Sequence, residues 1–410
     1  MSIEFEYWWL LILPLFFTLG WIAARVDIKQ LISESTALPA SYFKGLNFLI
    51  SDQHAKAAEA FSEAVQANTD SLELHFALGS LFRRTGETDR AINMHLNLLD
   101  KKELTANQKS AVKAELAQDY LKAGLYDRAE ELFKGLDDTR YRQPALHALL
   151  EIYVREREWL QAIEAATELE RLSGVPFRIQ IAQFYCELGM NAIIAQQQDA
   201  ARAQLSLALE ANKNCVRANV LLGDLEANSG AHQAAISAWK RIEFQQPEYL
   251  GLIANKMLKS YRALEPEHGG QLKQGLAQLN IYLETYKLPS LMSALYEATL
   301  AEEGAEKAAK LARNELIRQP SLTTLDQLLQ ARAMADETNT KKQANTQDIQ
   351  LMQQTVRNAI GNRAAYHCDQ CGFRAKQHHW QCPACNAWEA LPAEPSEAIS
   401  REMTLKKIKS

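Results

Sequence analysis

A spacing of 34 residues recurs through the middle of this 410-residue chain. Gly45 and Gly79 lie 34 residues apart, and so do Gly189 and Gly223. Each glycine sits in an apolar stretch with helical spacing. Glycine and proline are sparse while alanine, leucine and glutamine are plentiful, which favours helix over strand. The period therefore predicts an all-α fold in which paired helices stack along the chain.

Two of the repeating units carry a known set of small and large residues. The first contains Leu78, Gly79, Phe82, Gly86, Ala91 and Leu98, and the second contains Leu222, Gly223, Gly230, Ala235, Trp239, Ile242 and Pro247. In these positions the chain resembles the tetratricopeptide repeat (TPR) family. The resemblance implies a helical-hairpin solenoid, which we place at residues 39–335 with about eight or nine hairpins. Within it we expect Cys186 and Cys215 to be separate, small core residues.

A stack of hairpins offers a surface for binding proteins, because the first helix of every hairpin, helix A, faces a common groove. Helix phase predicts that the groove residues of the second and fourth hairpins are Phe76, Ser80, Arg83, His147, Glu151 and Arg155. A solvated surface explains each polar residue among them equally well. The chain contains no phosphate-binding glycine loop, nucleophile elbow or zinc-protease motif, so we expect no enzyme. The net charge of −5 argues against a nucleic-acid partner.

The amino-terminal residues 1–25 predict a membrane anchor. Tyr7 to Ala24 contains no charged residue and would span roughly 27 Å as a helix, which matches a bilayer core. Trp8 and Trp9 at one end and Trp21 at the other suit the two membrane interfaces. Arg25 and Lys29 follow the span, so the positive-inside rule predicts a single-pass protein whose bulk faces the cytoplasm. A cleaved signal peptide would carry basic residues before the apolar run, where this chain has Glu4 and Glu6.

The chain changes character after residue 335. Residues 336–347 are polar and predict a linker, and residues 348–363 predict an amphipathic helix in which Ile349, Met352, Val356 and Ile360 recur at helical spacing. Residues 364–392 hold four cysteines, and residues 393–410 predict a polar tail.

The four cysteines form two Cys-x-x-Cys pairs, Cys368 with Cys371 and Cys382 with Cys385, separated by ten residues. Four thiolates at this spacing predict one tetrahedral metal site, with zinc preferred over iron. A thioredoxin-like dithiol would use one pair inside a βαβ unit, and a DNA-reading ribbon would carry more basic residues. A segment this small has almost no core without its metal. We expect the module to dock on the helical array through Phe373, Trp380 and Trp388.

An anchor, a TPR array and a rubredoxin-like four-cysteine module, in this order, are similar to the lipopolysaccharide assembly protein B family of Gram-negative bacteria. The resemblance implies a non-enzymatic inner-membrane adaptor that promotes degradation of the LpxC deacetylase by the membrane protease FtsH, and so restrains lipopolysaccharide synthesis. It also implies an association with lipopolysaccharide export proteins. A scaffold that coordinates synthesis with export, and a rubredoxin-like electron carrier, remain as alternatives. The sequence does not indicate an oligomeric state.

Overall fold

A computed structural model of the chain describes residues 40–67, 71–101, 104–136, 138–266, 269–337, 343–361 and 366–395, together with 14, 17–18 and 21. Most of these residues are helical, and residues 366–395 contain no helix. The helices are α1 Ala40–Ile50, α2 His54–Ala67, α3 Leu72–Thr85, α4 Thr88–Leu99, α5 Ala106–Ala123, α6 Tyr126–Lys134, α7 Thr139–Glu156, α8 Trp159–Ser173, α9 Arg178–Ile194, α10 Gln198–Ala211, α11 Val216–Asn228, α12 His232–Lys240, α13 Ile242–Gln245, α14 Leu250–Leu264, α15 Gln271–Tyr286, α16 Pro289–Glu303, α17 Ala305–Arg318, α18 Leu322–Glu337 and α19 Gln343–Gly361. A 3₁₀ turn, Pro247–Tyr249, precedes α14, and two short strands, β1 Tyr366–His367 and β2 Arg374–Ala375, follow α19.

The chain divides into two compact units, residues 1–152 and residues 153–410. In the first unit, consecutive helices from α1 to α6 pack on one another, and α3 also contacts α5. In the second unit the same pattern runs from α8 to α19. There the first helices of successive pairs, α9, α11, α14, α16 and α18, also contact one another in sequence. We call the surface of this row the A-helix face.

Glycine in helix A permits the close pairing within a hairpin. A Cβ atom added to Gly45 would lie 2.9 Å from the Phe61 ring, and one added to Gly189 would lie 2.9 Å from Leu205 Cδ2. At Gly223 the added atom would overlap the indole of Trp239, which is 1% exposed. The 34-residue period therefore marks points where a large side chain of the second helix lies on bare backbone of the first. This packing confirms the predicted helical-hairpin architecture.

The array extends further than its predicted end at residue 335. Helix α18 continues to Glu337, and α19 begins at Gln343, inside the predicted linker 336–347. Helix α19 packs on α18 and forms with it the last helix pair described in the second unit. The separate amphipathic helix predicted at 348–363 is therefore the second helix of this pair. Ile349, Val356 and Ile360 are half-buried, whereas Met352 is exposed.

The predicted membrane segment, residues 7–24, lies outside the described residues except for Pro14, Phe17, Thr18 and Trp21. Within the part of the chain that the structure describes, no helix has both the length and the apolar composition needed to cross a bilayer. The anchor stays a prediction.

Candidate metal centre and its docking on the A-helix face

The four cysteines lie on two similar turns. In the first, the N–H of Gly372 donates to the carbonyl of Cys368, and in the second the N–H of Asn386 donates to the carbonyl of Cys382, both at 2.9 Å. Gly372 and Asn386 both have a positive φ, of 73° and 57°. A residue in this conformation after each Cys-x-x-Cys pair turns the chain back, so that both thiols of the pair point to the same side.

The sulfur geometry fits a single metal ion. The four Sγ atoms lie within 4.8 Å of one another. The Cys368–Cys385 and Cys371–Cys382 Sγ separations are both 3.7 Å. Four sulfurs around zinc, with bonds of about 2.3 Å, are separated by about 3.8 Å, so no pair of thiols needs to approach by more than about 1 Å to bind. Iron bound by four thiolates requires a similar arrangement of the sulfurs.

The thiols also need the positive charge of a metal. Burial raises the pKa of Cys382, but N–H groups of Cys385 and Ala384 and neighbouring thiols lower it to about 7. The N–H of Phe373 favours the thiolate of Cys371, yet burial and hydrogen bonds among the thiols outweigh it and raise its pKa to about 12. Because one thiolate suppresses ionisation of its neighbours, a bound cation is required to hold all four in the ligating form.

A small core and short backbone pairings surround the cysteines. Strands β1 and β2 are antiparallel, with Tyr366 opposite Ala375. Cys368, Ala375, Cys382, Ala390 and Leu391 form the buried cluster, and Phe373 packs against it. With so few apolar side chains, the fold of this module depends on the metal.

The module is docked on the A-helix face of the second unit by two tryptophans. Trp380 stacks on Tyr249 in the 3₁₀ turn before α14, with ring centroids 5.2 Å apart and planes within 7°. The His378 ring meets both of these rings edge to face. Burial lowers the pKa of His378 to about 4, so this imidazole is neutral at ordinary pH.

Trp388 and Glu389 make the second contact. The Trp388 ring meets Phe184 of α9 edge to face at 6.3 Å, and the Arg217 guanidinium of α11 lies 5.5 Å from the same ring. Gln183 Nε2 donates to Glu389 Oε1 at 2.7 Å, and Arg217 Nη1 donates to Gln183 Oε1 at 3.2 Å. Burial raises the pKa of Glu389, although Gln183 and Arg217 offset part of this rise.

Glu394 makes the third contact, at the N-terminus of α16. Its carboxylate accepts the backbone N–H of Ser290 at 3.3 Å and the Ser290 hydroxyl. Burial raises the pKa of Glu394 above its ordinary value. Ala393 is 6% exposed and belongs to the core of the second unit. Residues 393–395, predicted as the start of the polar tail, therefore pack against the helices, and the rest of the predicted tail, residues 396–410, lies outside the described residues. Ser290 and Pro395 also border a cleft of about 730 Å³.

The structure confirms docking through Trp380 and Trp388, whereas Phe373 contributes to the module's own core. The sequence reasoning missed Gln183, Glu389 and Glu394. The segment WEALPAEP, residues 388–395, carries a weak signal for Glu389 and Glu394. Its two carboxylates alternate with apolar residues, whereas the charges of a solvated tail usually cluster.

The predicted groove residues of α3 are engaged within the first unit. Phe76 packs against Leu98 and Val112, and Ser80 is half-buried. Arg83 Nη1 lies 2.7 Å from Asp119 Oδ1, and its Nη2 lies 2.6 Å from Glu115 Oε2 on α5. Arg83 therefore links two neighbouring A helices, and a role in partner binding stays a prediction.

The predicted groove residues of α7 have exposed side chains, namely His147, Glu151 and Arg155. Their partner-binding role is likewise a prediction. Of the predicted anchor residues, Trp21 is 56% exposed, and Trp8 and Trp9 lie outside the described residues.

Both the module and the whole chain are similar to known proteins. Residues 366–392 match a family model described as a rubredoxin metal binding domain. Lipopolysaccharide assembly protein B of Escherichia coli is 30% identical over 383 residues, covering 93% of this chain and 96% of that protein. The protein of the same name from Haemophilus influenzae is 30% identical over 393 residues, with the same coverage. The chain belongs to the lipopolysaccharide assembly protein B family.

Among solved structures, the C-terminal part of a TPR repeat-containing protein from Cytophaga hutchinsonii is similar to this lipopolysaccharide assembly protein B family member. It is 14% identical with a TM-score of 0.36, covering 62% of this chain and 99% of that one. The repeat architecture of this chain is shown by the pairing of its own helices.

Proposed function

We propose that this protein is a non-enzymatic adaptor that regulates lipopolysaccharide synthesis through protein contacts. The observation that carries the proposal is the docked module, which contacts four consecutive helix pairs of the second unit through Gln183, Arg217, Tyr249 and Ser290. The A helices and the four-cysteine module together form one composite surface. Such a surface suits recognition of a folded protein, and family membership supplies the pathway.

The more specific proposal is that the adaptor promotes degradation of the LpxC deacetylase by the membrane protease FtsH. Residues 1–25 would hold it in the inner membrane as a single-pass protein with its bulk in the cytoplasm. An anchor in the same membrane as the protease raises the effective concentration of the two proteins, while the composite surface of helices and module binds the soluble client. The metal at the four cysteines is proposed to be zinc, with a structural role.

The test is the half-life of the deacetylase after synthesis is stopped. We expect depletion of the adaptor to lengthen the half-life, and the intact chain to restore it. Two variants, one lacking residues 1–25 and one carrying Trp380→Ala with Trp388→Ala, should fail to restore it. A chain carrying Arg171→Ala, at an exposed ion pair with Glu168, is the matched control and should restore turnover. Unchanged turnover on depletion would contradict the adaptor proposal and favour a scaffold that joins synthesis to export.

A further inference from the structure

Two cysteines outside the metal centre meet in the second unit. Cys186 lies in α9, and Cys215 immediately precedes α11. Their Sγ atoms are 3.7 Å apart, and both residues are fully buried. The sequence predicts two unrelated core residues, but the packing of α9 on α11 brings them into contact. A disulfide has an S–S distance of about 2.05 Å, so a bond requires the sulfurs to approach by less than about 2 Å.

The two thiols have different surroundings. The hydrogen bond from Cys186 favours the thiolate of Cys215, burial opposes it, and the N–H of Ala218 in the first turn of α11 favours it again, so that the pKa of Cys215 is lowered. The same thiol–thiol hydrogen bond and burial raise the pKa of Cys186. A thiolate at a helix N-terminus with a second thiol 3.7 Å away can form a disulfide with it once one of the two sulfurs is oxidised.

The pair is connected to the docked module through one side chain. Gln183 Nε2 lies 3.9 Å from Cys215 Sγ, and the same nitrogen donates to Glu389 Oε1 at 2.7 Å. Gln183 is itself fully buried and also accepts from Arg217, whose guanidinium lies over Trp388. A displacement of Cys215 would therefore be transmitted through Gln183 to Glu389 and through Gln183 and Arg217 to Trp388.

We propose that Cys186 and Cys215 are a peroxide-sensitive modification site that forms a reversible disulfide and loosens the docked module. The Cys215 thiolate attacks one oxygen of hydrogen peroxide, the O–O bond breaks, and the leaving hydroxide takes a proton to become water. The Cys186 thiol then loses its proton, and its thiolate attacks the sulfur of the Cys215 sulfenic acid. The S–S bond forms as the S–O bond breaks, and the leaving hydroxide takes up a proton to become the second water. Two thiols are oxidised, and one peroxide is reduced. A dithiol reductant reverses the reaction.

The experiment uses the full chain with its metal bound. The protein is treated with increasing concentrations of hydrogen peroxide, and the remaining free thiols are alkylated. Peptides are then analysed by mass spectrometry, and metal release is measured in the same samples. We expect a cross-linked peptide containing Cys186 and Cys215, two hydrogens lighter than the reduced pair, at peroxide doses that leave the metal bound. Hydrogen exchange in peptides from residues 366–395 should accelerate when the cross-link forms and return to its original rate after reduction.

The matched control is Cys186→Ala, which keeps a small buried side chain and the four metal ligands but cannot form the bond. It should show no acceleration at the same doses, and its thermal unfolding shows whether it folds. Release of metal while both thiols stay reduced would overturn the modification site. Formation of the cross-link without faster exchange would overturn its link to docking. Neither result bears on deacetylase half-life, so the proposed adaptor function stands or fails separately.

Discussion

Arg83 lies in α3 of the first unit, where two carboxylates of α5 hold its guanidinium. Burial alone lowers the pKa of Arg83, yet hydrogen bonds and charge from Asp119 and Glu115 outweigh it and raise the pKa. Asp119 is fully buried and also bonds to Nδ1 of the buried His95. The side chain predicted to contact a partner therefore neutralises a buried charge inside the array.

We predict that Arg83→Ala destabilises the protein by about 3–5 kcal/mol, because it leaves the Asp119 carboxylate buried without its cation. Urea unfolding followed by circular dichroism measures the change. Arg171→Ala removes an exposed ion pair with Glu168 and should leave the unfolding midpoint nearly unchanged. Equal midpoints for the two variants would show that Arg83 is dispensable to the fold and would return it to the candidates for partner contact.

We predict that His378 makes the stability of the docked protein depend on pH. The folded-state pKa of about 4 is below the ordinary value of 6.5, so the folded protein binds fewer protons than the unfolded chain between these values. The stability that neutral His378 contributes is present above pH 6.5 and is lost as the pH falls toward 4. His378→Phe keeps a ring between Tyr249 and Trp380 and should flatten this loss. Unfolding midpoints at several pH values measure it.

Glu389 and Glu394 change stability in the opposite direction. Their raised pKa values mean that the folded protein binds more protons than the unfolded chain, so their contribution is present at low pH and is lost as the pH rises through the folded values. The difference in unfolding midpoint between the native chain and His378→Phe therefore isolates the contribution of the histidine. Metal content is measured at each pH as a control. Parallel curves for the two proteins would contradict the assignment.

At the scale of elements, docking rests on a few aromatic contacts between the module and the A helices. Trp380 stacks on Tyr249, whose burial, with the nearby carboxylates of Glu389 and Glu248, raises its pKa to about 12. The Tyr249 phenol is therefore neutral across ordinary pH, so neither ring of the stacked pair carries a charge. Docking at this point depends on ring area and shape rather than on charge.

We predict that Trp380→Ala loosens the module, because it removes the ring that covers Tyr249. Truncating a fully buried tryptophan costs about 3–5 kcal/mol, and this half-buried one should lose part of that. Trypsin cleavage after Arg374 and Lys376 should become faster, as followed by gel electrophoresis. Trp380→Phe retains a stacked ring and should be cleaved more slowly than Trp380→Ala; equal rates would show that stacking does not hold the module.

The sequence predicted those features that depend on short-range spacing. The 34-residue interval between glycines marks hairpins because each glycine needs a large partner such as Phe61 or Trp239 in the next helix. The cysteine spacing likewise places four sulfurs around one point. Both signals are local, since a turn or one hairpin contains all the atoms that matter.

Other features depend on contacts between distant residues. Helix α19 begins inside a segment whose polar composition suggested a linker, because packing on α18 stabilises it. Cys186 and Cys215 are 29 residues apart, and their contact follows from how α9 meets the start of α11. Gln183 and Glu389 are 206 residues apart, and no sequence periodicity connects them.

At the scale of the whole molecule, we expect a metal bound at the four cysteines to stabilise both the module and the surface that the module covers. We predict that chelation unfolds residues 366–395 and accelerates hydrogen exchange around Tyr249 and Ser290, because their partners leave. Exchange in α1 to α6 should stay unchanged. Cys368→Ser with Cys371→Ser should reproduce the effect without chelator. A colourless protein with stoichiometric zinc is expected, whereas a coloured, reducible centre would indicate iron. Unaltered exchange at Tyr249 after metal loss would contradict this dependence.

The docked module is encoded after every helix that it covers, and Ser290 precedes its partner Glu394 by 104 residues. As the ribosome delivers the chain from its amino terminus, the A helices are complete before the cysteines emerge. We therefore expect the parts of the Phe184 and Tyr249 rings that the module covers to stay exposed to water until the module folds around its ion. Starvation for the metal should then leave newly made chains with finished helices and an uncovered flank.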